Sequence, residues 1–130
     1  MSLPKSYKQA AFKAKGEELV IEDVPLRQPG EGEILIKVDA CGICHTDMYA
    51  QENRFGGGFP IVPGHEIIGR VAAIGDNVTG WKIGDRIAGG YHGGHDGTCA
   101  QCLQQWPQMC DNPIANGINR NGGCKLLRFQ

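Results

Sequence analysis

Gly64-His65-Glu66-Ile67-Ile68-Gly69-Arg70-Val71-Ala72-Ala73-Ile74-Gly75-Asp76-Asn77-Val78 carries two readings at once. Residues 66–74 are a run of β-branched and small apolar side chains closed by glycine, which reads as a strand. The head of the run offers an imidazole and a carboxylate. Upstream, Cys44 opens Cys44-His45-Thr46-Asp47 and adds a thiolate. Zinc takes thiolate sulfur at about 2.3 Å and imidazole nitrogen or carboxylate oxygen at about 2.0–2.2 Å, and a catalytic site keeps one position open. His65 and Glu66 are consecutive, so on a regular strand their side chains face opposite ways, and joint ligation needs a local kink.

Working outward, residues 8–13, 19–24, 33–39 and 86–88 are further short strands between Gly, Pro and Asn breaks. Pro29-Gly30-Glu31-Gly32 is a turn before the strongest of them, Glu33-Ile34-Leu35-Ile36-Lys37-Val38, whose adjacent apolar residues imply cover on both faces. Residues 45–53 read as a short helix with Asp47 in its first turn. Gly occurs 20 times, which suits a mainly β barrel full of turns and bulges. No strand, G-x-G-x-x-G turn and helix unit occurs, so the chain carries no Rossmann dinucleotide fold. Gly56-Gly57-Gly58 and Gly93-Gly94 are loops without that context.

The chain has 130 residues and a net charge of −1, enough for one domain and without a basic run for nucleic acid. Its start lacks an apolar signal core, and no apolar run reaches the roughly 20 residues that span a bilayer. A cytoplasmic protein without membrane or nucleic-acid partners is expected. In a reducing compartment the 6 cysteines are read as metal ligands before disulfides.

The frame G-H-E-x-x-G-x5-G-x-x-V, with Cys41-Gly42-Ile43-Cys44-His45-Thr46-Asp47 upstream, resembles the zinc-dependent alcohol dehydrogenases of the medium-chain dehydrogenase/reductase family. The resemblance runs from about residue 8 to residue 123. It implies a GroES-like barrel with short helices and a zinc-binding lobe, over residues 1–123, with the lobe near 92–112.

The same resemblance implies a catalytic zinc on Cys44 and His65, with Glu66 as an exchangeable ligand. The family's third permanent cysteine ligand lies beyond the barrel. Cys41 belongs to the motif as a non-ligand. Thr46 is implied to pass on the alcohol proton, His45 to approach the cofactor pyrophosphate, and Asp47 to accept a hydrogen bond from His65. Tyr49 stands where many relatives have the histidine that ends the proton relay, and a phenol is the poorer base at neutral pH.

Cys99, Cys102 and Cys110 resemble the last three ligands of the family's structural zinc, and Asp96 takes the place of the fourth. His95 or His92 are the alternatives to Asp96. A closed site of this kind would pin a Gly-rich loop with few apolar residues of its own.

Two functions follow as expectations. One is the amino-terminal catalytic portion of an alcohol dehydrogenase that oxidises a small alcohol to an aldehyde or ketone with NAD or NADP, inactive alone and open to homo-oligomerisation when full length. The other is a non-catalytic zinc-binding GroES-like module. After Gly122-Gly123 relatives continue with an aromatic-Ala-Glu-aromatic strand, whereas here Cys124-Lys125-Leu126-Leu127-Arg128-Phe129-Gln130 reads as an atypical tail from a truncated or altered frame.

Overall fold

The computed structural model describes residues 3–124 and 127–129. Its elements in chain order are strands β1 (Ser6–Phe12), β2 (Leu19–Pro25) and β3 (Ile34–Cys41), helix α1 (His45–Gln51), and strands β4 (Ile67–Ile74), β5 (Arg86–Gly89) and β6 (His92–Gly94). Helix α2 (Ala100–Leu103), a 3-10 turn (Pro107–Met109), β7 (Ile114–Ala115) and β8 (Leu127–Phe129) complete the chain. The expected strands all form, each with an end within a residue or two of the sequence boundary. The helix stops at Gln51 instead of Asn53, where the backbone turns to a φ of 52°.

The ladders fall into three sheets: β1-β2, β5-β4-β3-β8 and β6-β7. The barrel is therefore stitched at its seams by single contacts. Phe12 and Ile61 exchange backbone hydrogen bonds of 2.9 and 3.0 Å, and Ala10 N donates to Cys124 O at 3.0 Å. Every ladder between named strands is antiparallel. The described residues thus contain none of the parallel β-α-β units of a dinucleotide fold. No helix among them is long and apolar enough to cross a membrane.

β3 is the spine. It lies between β4 and β8, and Ile34, Leu35 and Ile36 are buried in succession, as the unbroken apolar run requires. Ile34 and Ile36 pack with Ile67 and Val71 of β4, and Val38, Cys41, Ile74, Val78 and Ile87 close around them. Register shifts between Leu35 and Ile36 and between Val38 and Ala40 bend the β3-β4 pair on the way to Cys41. Ile36 has no exposed surface. Ile36→Ala is expected to cost about 2–5 kcal/mol, read as a lower urea midpoint at unchanged slope.

Residues 127–129 of the expected tail pair antiparallel with β3 through Ile34↔Phe129, Leu35↔Arg128 and Ile36↔Leu127. Lys125, Leu126 and Gln130 lie outside the described residues. A second, smaller cluster joins Ala50 of α1 to Ala115 and Ile118, just beyond the Cys-rich lobe.

Candidate metal centres

Two groups of side chains bring metal-ligating atoms together. In the first, one atom each of Cys44, His65 and Glu66 lies within 4.8 Å of the others, and in the second the same holds for Asp96, Cys99, Cys102 and Cys110.

The first group forms where β3 hands over to α1 and where the chain enters β4. Cys44 is the residue before α1, with extended backbone at φ −120° and ψ 155°. Asp47, in the first helical turn, accepts a hydrogen bond from Cys44 N on Oδ2 at 3.0 Å and another from Gly64 N on Oδ1 at 3.0 Å. One carboxylate thereby fastens the Cys44 loop to the His65 loop. A negative charge there also complements the helix N-terminus.

β4 starts at Ile67, so His65 and Glu66 precede the strand and its alternation does not govern them. This corrects the expectation that residue 66 begins the strand and faces away from His65. Gly64 supplies the kink with a φ of +101°, a conformation side chains rarely adopt. Gly42 supplies the room, since a Cβ on it would fall well inside contact distance of Glu66 Oε2. Gly42 N donates to Glu66 O at 2.9 Å, and the carboxylate folds across the glycine toward Cys44 and His65.

His65 is buried, and its Nδ1 has no hydrogen-bond partner among the described residues. Asp47 Oδ1 is 3.6 Å away, near enough for electrostatic support and too far for the expected hydrogen bond. An orphaned buried nitrogen costs stability unless the ring has another use. A thiolate, an imidazole and a carboxylate at one point suit zinc, so the donor chemistry fits.

Of the other expected residues, Thr46 places Oγ1 within 3.6 Å of Cys44 Sγ. His45 is exposed and meets Tyr49 edge to face at 5.3 Å. Tyr49 also carries the Arg54 guanidinium over its ring at 4.9 Å. Sequence reasoning missed Tyr91, whose ring stands edge-on to His65 at 5.5 Å. Its position depends on Asn116, a buried amide that donates to Gly90 O at 2.9 Å, while Asn116 N donates to Tyr91 O at 2.9 Å. An aromatic beside a Gly-rich loop was the only local signal.

In the second group, Cys99 Sγ and Cys110 Sγ are 3.8 Å apart. Two thiolates on one tetrahedral zinc stand about 3.8 Å apart, given Zn–S bonds near 2.3 Å. Asp96 accepts from Thr98 N at 2.8 Å and Cys99 N at 3.0 Å on Oδ1, and from Asn112 Nδ2 at 2.8 Å on Oδ2. The Asn112 amide, then the Cys99 and Thr98 N–H groups, hold its carboxyl well below the usual range. Backbone N–H groups, that of Asp111 first, lower the Cys99 thiol, whereas Cys102 is pushed up to about 12 by desolvation and then by Cys99. Such crowding of acidic groups is what a divalent cation relieves. His92 and His95 stack on each other, with ring nitrogens 3.2 Å apart, and are not members of this group.

The fold and both groups meet known proteins at this point. Residues 30–126 match the family described as Alcohol dehydrogenase GroES-like domain. The chain belongs to that family. It is 62% identical over 120 residues to the alcohol dehydrogenase patD of Penicillium expansum, covering 92% of this chain and 35% of that one. It is 58% identical over 123 residues to the alcohol dehydrogenase notN of Aspergillus sp. (strain MF297-2), covering 95% and 36%. Among solved structures, the cinnamyl alcohol dehydrogenase SbCAD4 of Sorghum bicolor superposes with a TM-score of 0.82 at 30% identity, over 97% of this chain and 39% of that one. The cobalt- and zinc-bound thermostable alcohol dehydrogenase of Pyrobaculum aerophilum does so with a TM-score of 0.81 at 32% identity, over 95% and 39%. The chain thus spans about a third of the length of these curated relatives.

Proposed function

We propose that this chain is the amino-terminal, metal-holding portion of a zinc-dependent alcohol dehydrogenase that oxidises a small alcohol to an aldehyde or ketone with NAD or NADP. The observation that carries the reading is the convergence of Cys44, His65 and Glu66 around a buried imidazole without a hydrogen-bond partner. Family membership and dehydrogenase relatives support it. Cys44 and His65 would hold a zinc ion, with Glu66 as an exchangeable third donor. Zinc, when bound, would supply a Lewis acid that polarises the alcohol oxygen. Thr46 Oγ1 beside Cys44 is placed to take up the alcohol proton and pass it outward. His45, exposed at the start of α1, is the group open to a cofactor phosphate, and Tyr91 forms an aromatic wall beside His65. The cofactor itself would be bound by sequence outside this chain. Asp96, Cys99, Cys102 and Cys110 would hold a second zinc that braces the lobe and performs no chemistry.

Cobalt substitution tests the reading. Cobalt-loaded chain is expected to show thiolate charge-transfer absorption, part of which disappears in Cys44→Ser while the contribution of the Cys-rich lobe remains. An unchanged spectrum in Cys44→Ser would sink the catalytic-zinc assignment. For the reaction, NAD(P)-dependent alcohol oxidation by a protein joining this chain to a relative's cofactor domain is expected to disappear in the same variant. Zinc binding at both groups without any oxidation would favour the non-catalytic module.

A further inference from the structure

Two cysteines stand outside both metal groups. Cys41 ends β3, and Cys124 follows the glycine pair Gly122-Gly123. In sequence they are far apart, but their backbones are fastened to opposite sides of the same short segment. Gly123 N donates to Gly64 O at 2.9 Å, Cys124 N to Pro63 O at 3.1 Å and Gly42 N to Glu66 O at 2.9 Å, while Cys41 pairs with Ile67. Both side chains turn into the space that Gly64 leaves empty. A Cβ on Gly64 would lie 2.6 Å from Cys41 Sγ and 3.2 Å from Cys124 Sγ, so the sulfurs surround one point. They are hydrogen-bonded to each other, and neither residue is fully buried.

We propose that Cys41 and Cys124 are a disulfide-forming modification site: a hydroperoxide oxidises the two thiols to a bond across Gly64, beside His65. The sulfur of one thiol attacks the peroxide oxygen and breaks the O–O bond, giving a sulfenic acid and water or an alcohol. The second sulfur attacks the sulfenic sulfur, forming S–S, breaking S–O and releasing water. Two electrons leave the sulfur pair and reduce the peroxide, and both thiol protons end in the products. A neighbouring thiol makes the sulfenic acid short-lived and the product reversible by reductant. Partial burial slows the first attack, so the pair responds to sustained oxidant and does not compete with a dedicated peroxidase. The site differs from the metal groups in needing two sulfurs alone.

Bond mapping tests the proposal without any dehydrogenase assay. Zinc-loaded 130-residue chain is treated with hydrogen peroxide, alkylated, digested without reductant and analysed by mass spectrometry. A peptide pair linked through Cys41 and Cys124 is expected as the dominant product, with the sulfurs at 99, 102 and 110 remaining alkylatable and dithiothreitol reversing the link. In Cys124→Ser the link is expected to be absent and Cys41 to be captured by dimedone as a sulfenic acid. Recovery of Cys41 and Cys124 as free thiols, their conversion to sulfinic acids without a link, or a link from Cys44 in place of Cys41 would overturn it. None of these outcomes depends on zinc at Cys44, so failure here and failure of the proposed function are separable.

Discussion

Chelation of the zinc-loaded chain is expected to release the segment from Asp96 to Asn112 from its ordered state, its amides then exchanging with solvent at close to the free-peptide rate. The physical reason is how little else holds it. Leu103, Trp106 and Met109 are exposed to 72, 56 and 62%, and Cys110 is the one apolar core residue among the described positions 96–112. α2 is 4 residues long, below any length at which a helix persists by itself. Hydrogen bonds from Asp96 and Asn112 shape the turn, but ordering about 15 residues costs on the order of 1–2 kcal/mol each. Metal–thiolate bonds are the one available term of that size. Hydrogen exchange with and without a chelator checks this, and Cys102→Ser should reproduce the effect while β3 and β4 remain protected. Equal protection in both states would show that the lobe stands without metal.

Asp47→Ala is expected to loosen the other centre, with a loss of stability of about 2–4 kcal/mol for two hydrogen bonds from buried backbone N–H groups to a carboxylate. Metal affinity at Cys44 and His65 is expected to fall about 10- to 100-fold, the usual range for partners that orient ligands. Asp47→Asn keeps one acceptor and should fall between the variant and the parent. Competition against a chromophoric chelator measures the affinity, and urea titration the stability. A normal zinc affinity in Asp47→Ala would mean that the two loops hold their spacing without it.

Much of the architecture was legible because its signals are local. The run Ile34-Leu35-Ile36 announces a strand covered on both faces, and those three residues are buried in the spine of the sheet. The alternation of polar and apolar residues that marks β1 and β2 is equally local. What the sequence hid are relations across the chain. Regular pleating sets His65 and Glu66 apart, and only the positive φ of Gly64 and the missing side chain of Gly42 bring them to one point. Asp47 was expected to hold the His65 ring, yet its oxygens take backbone N–H groups, a choice settled by where Gly64 arrives from 17 residues away. Tyr91 reaches His65 because a buried amide beyond the lobe, Asn116, holds the loop that carries it. Periodicity has no term for such long-range fastening.

The seam of Ala50, Ala115 and Ile118 makes the two halves of the molecule mechanically dependent. Helix α1 is 7 residues long, about 10 Å, too short to flex and absorb a push along its axis. Its far end leans on the stretch immediately after the lobe through methyl-sized side chains, which bring the backbones close and leave no compliant layer between them. Any shift of that stretch therefore tilts the rod as a whole, and the end that moves at the other extreme is the sulfur-bearing residue from which the rod begins.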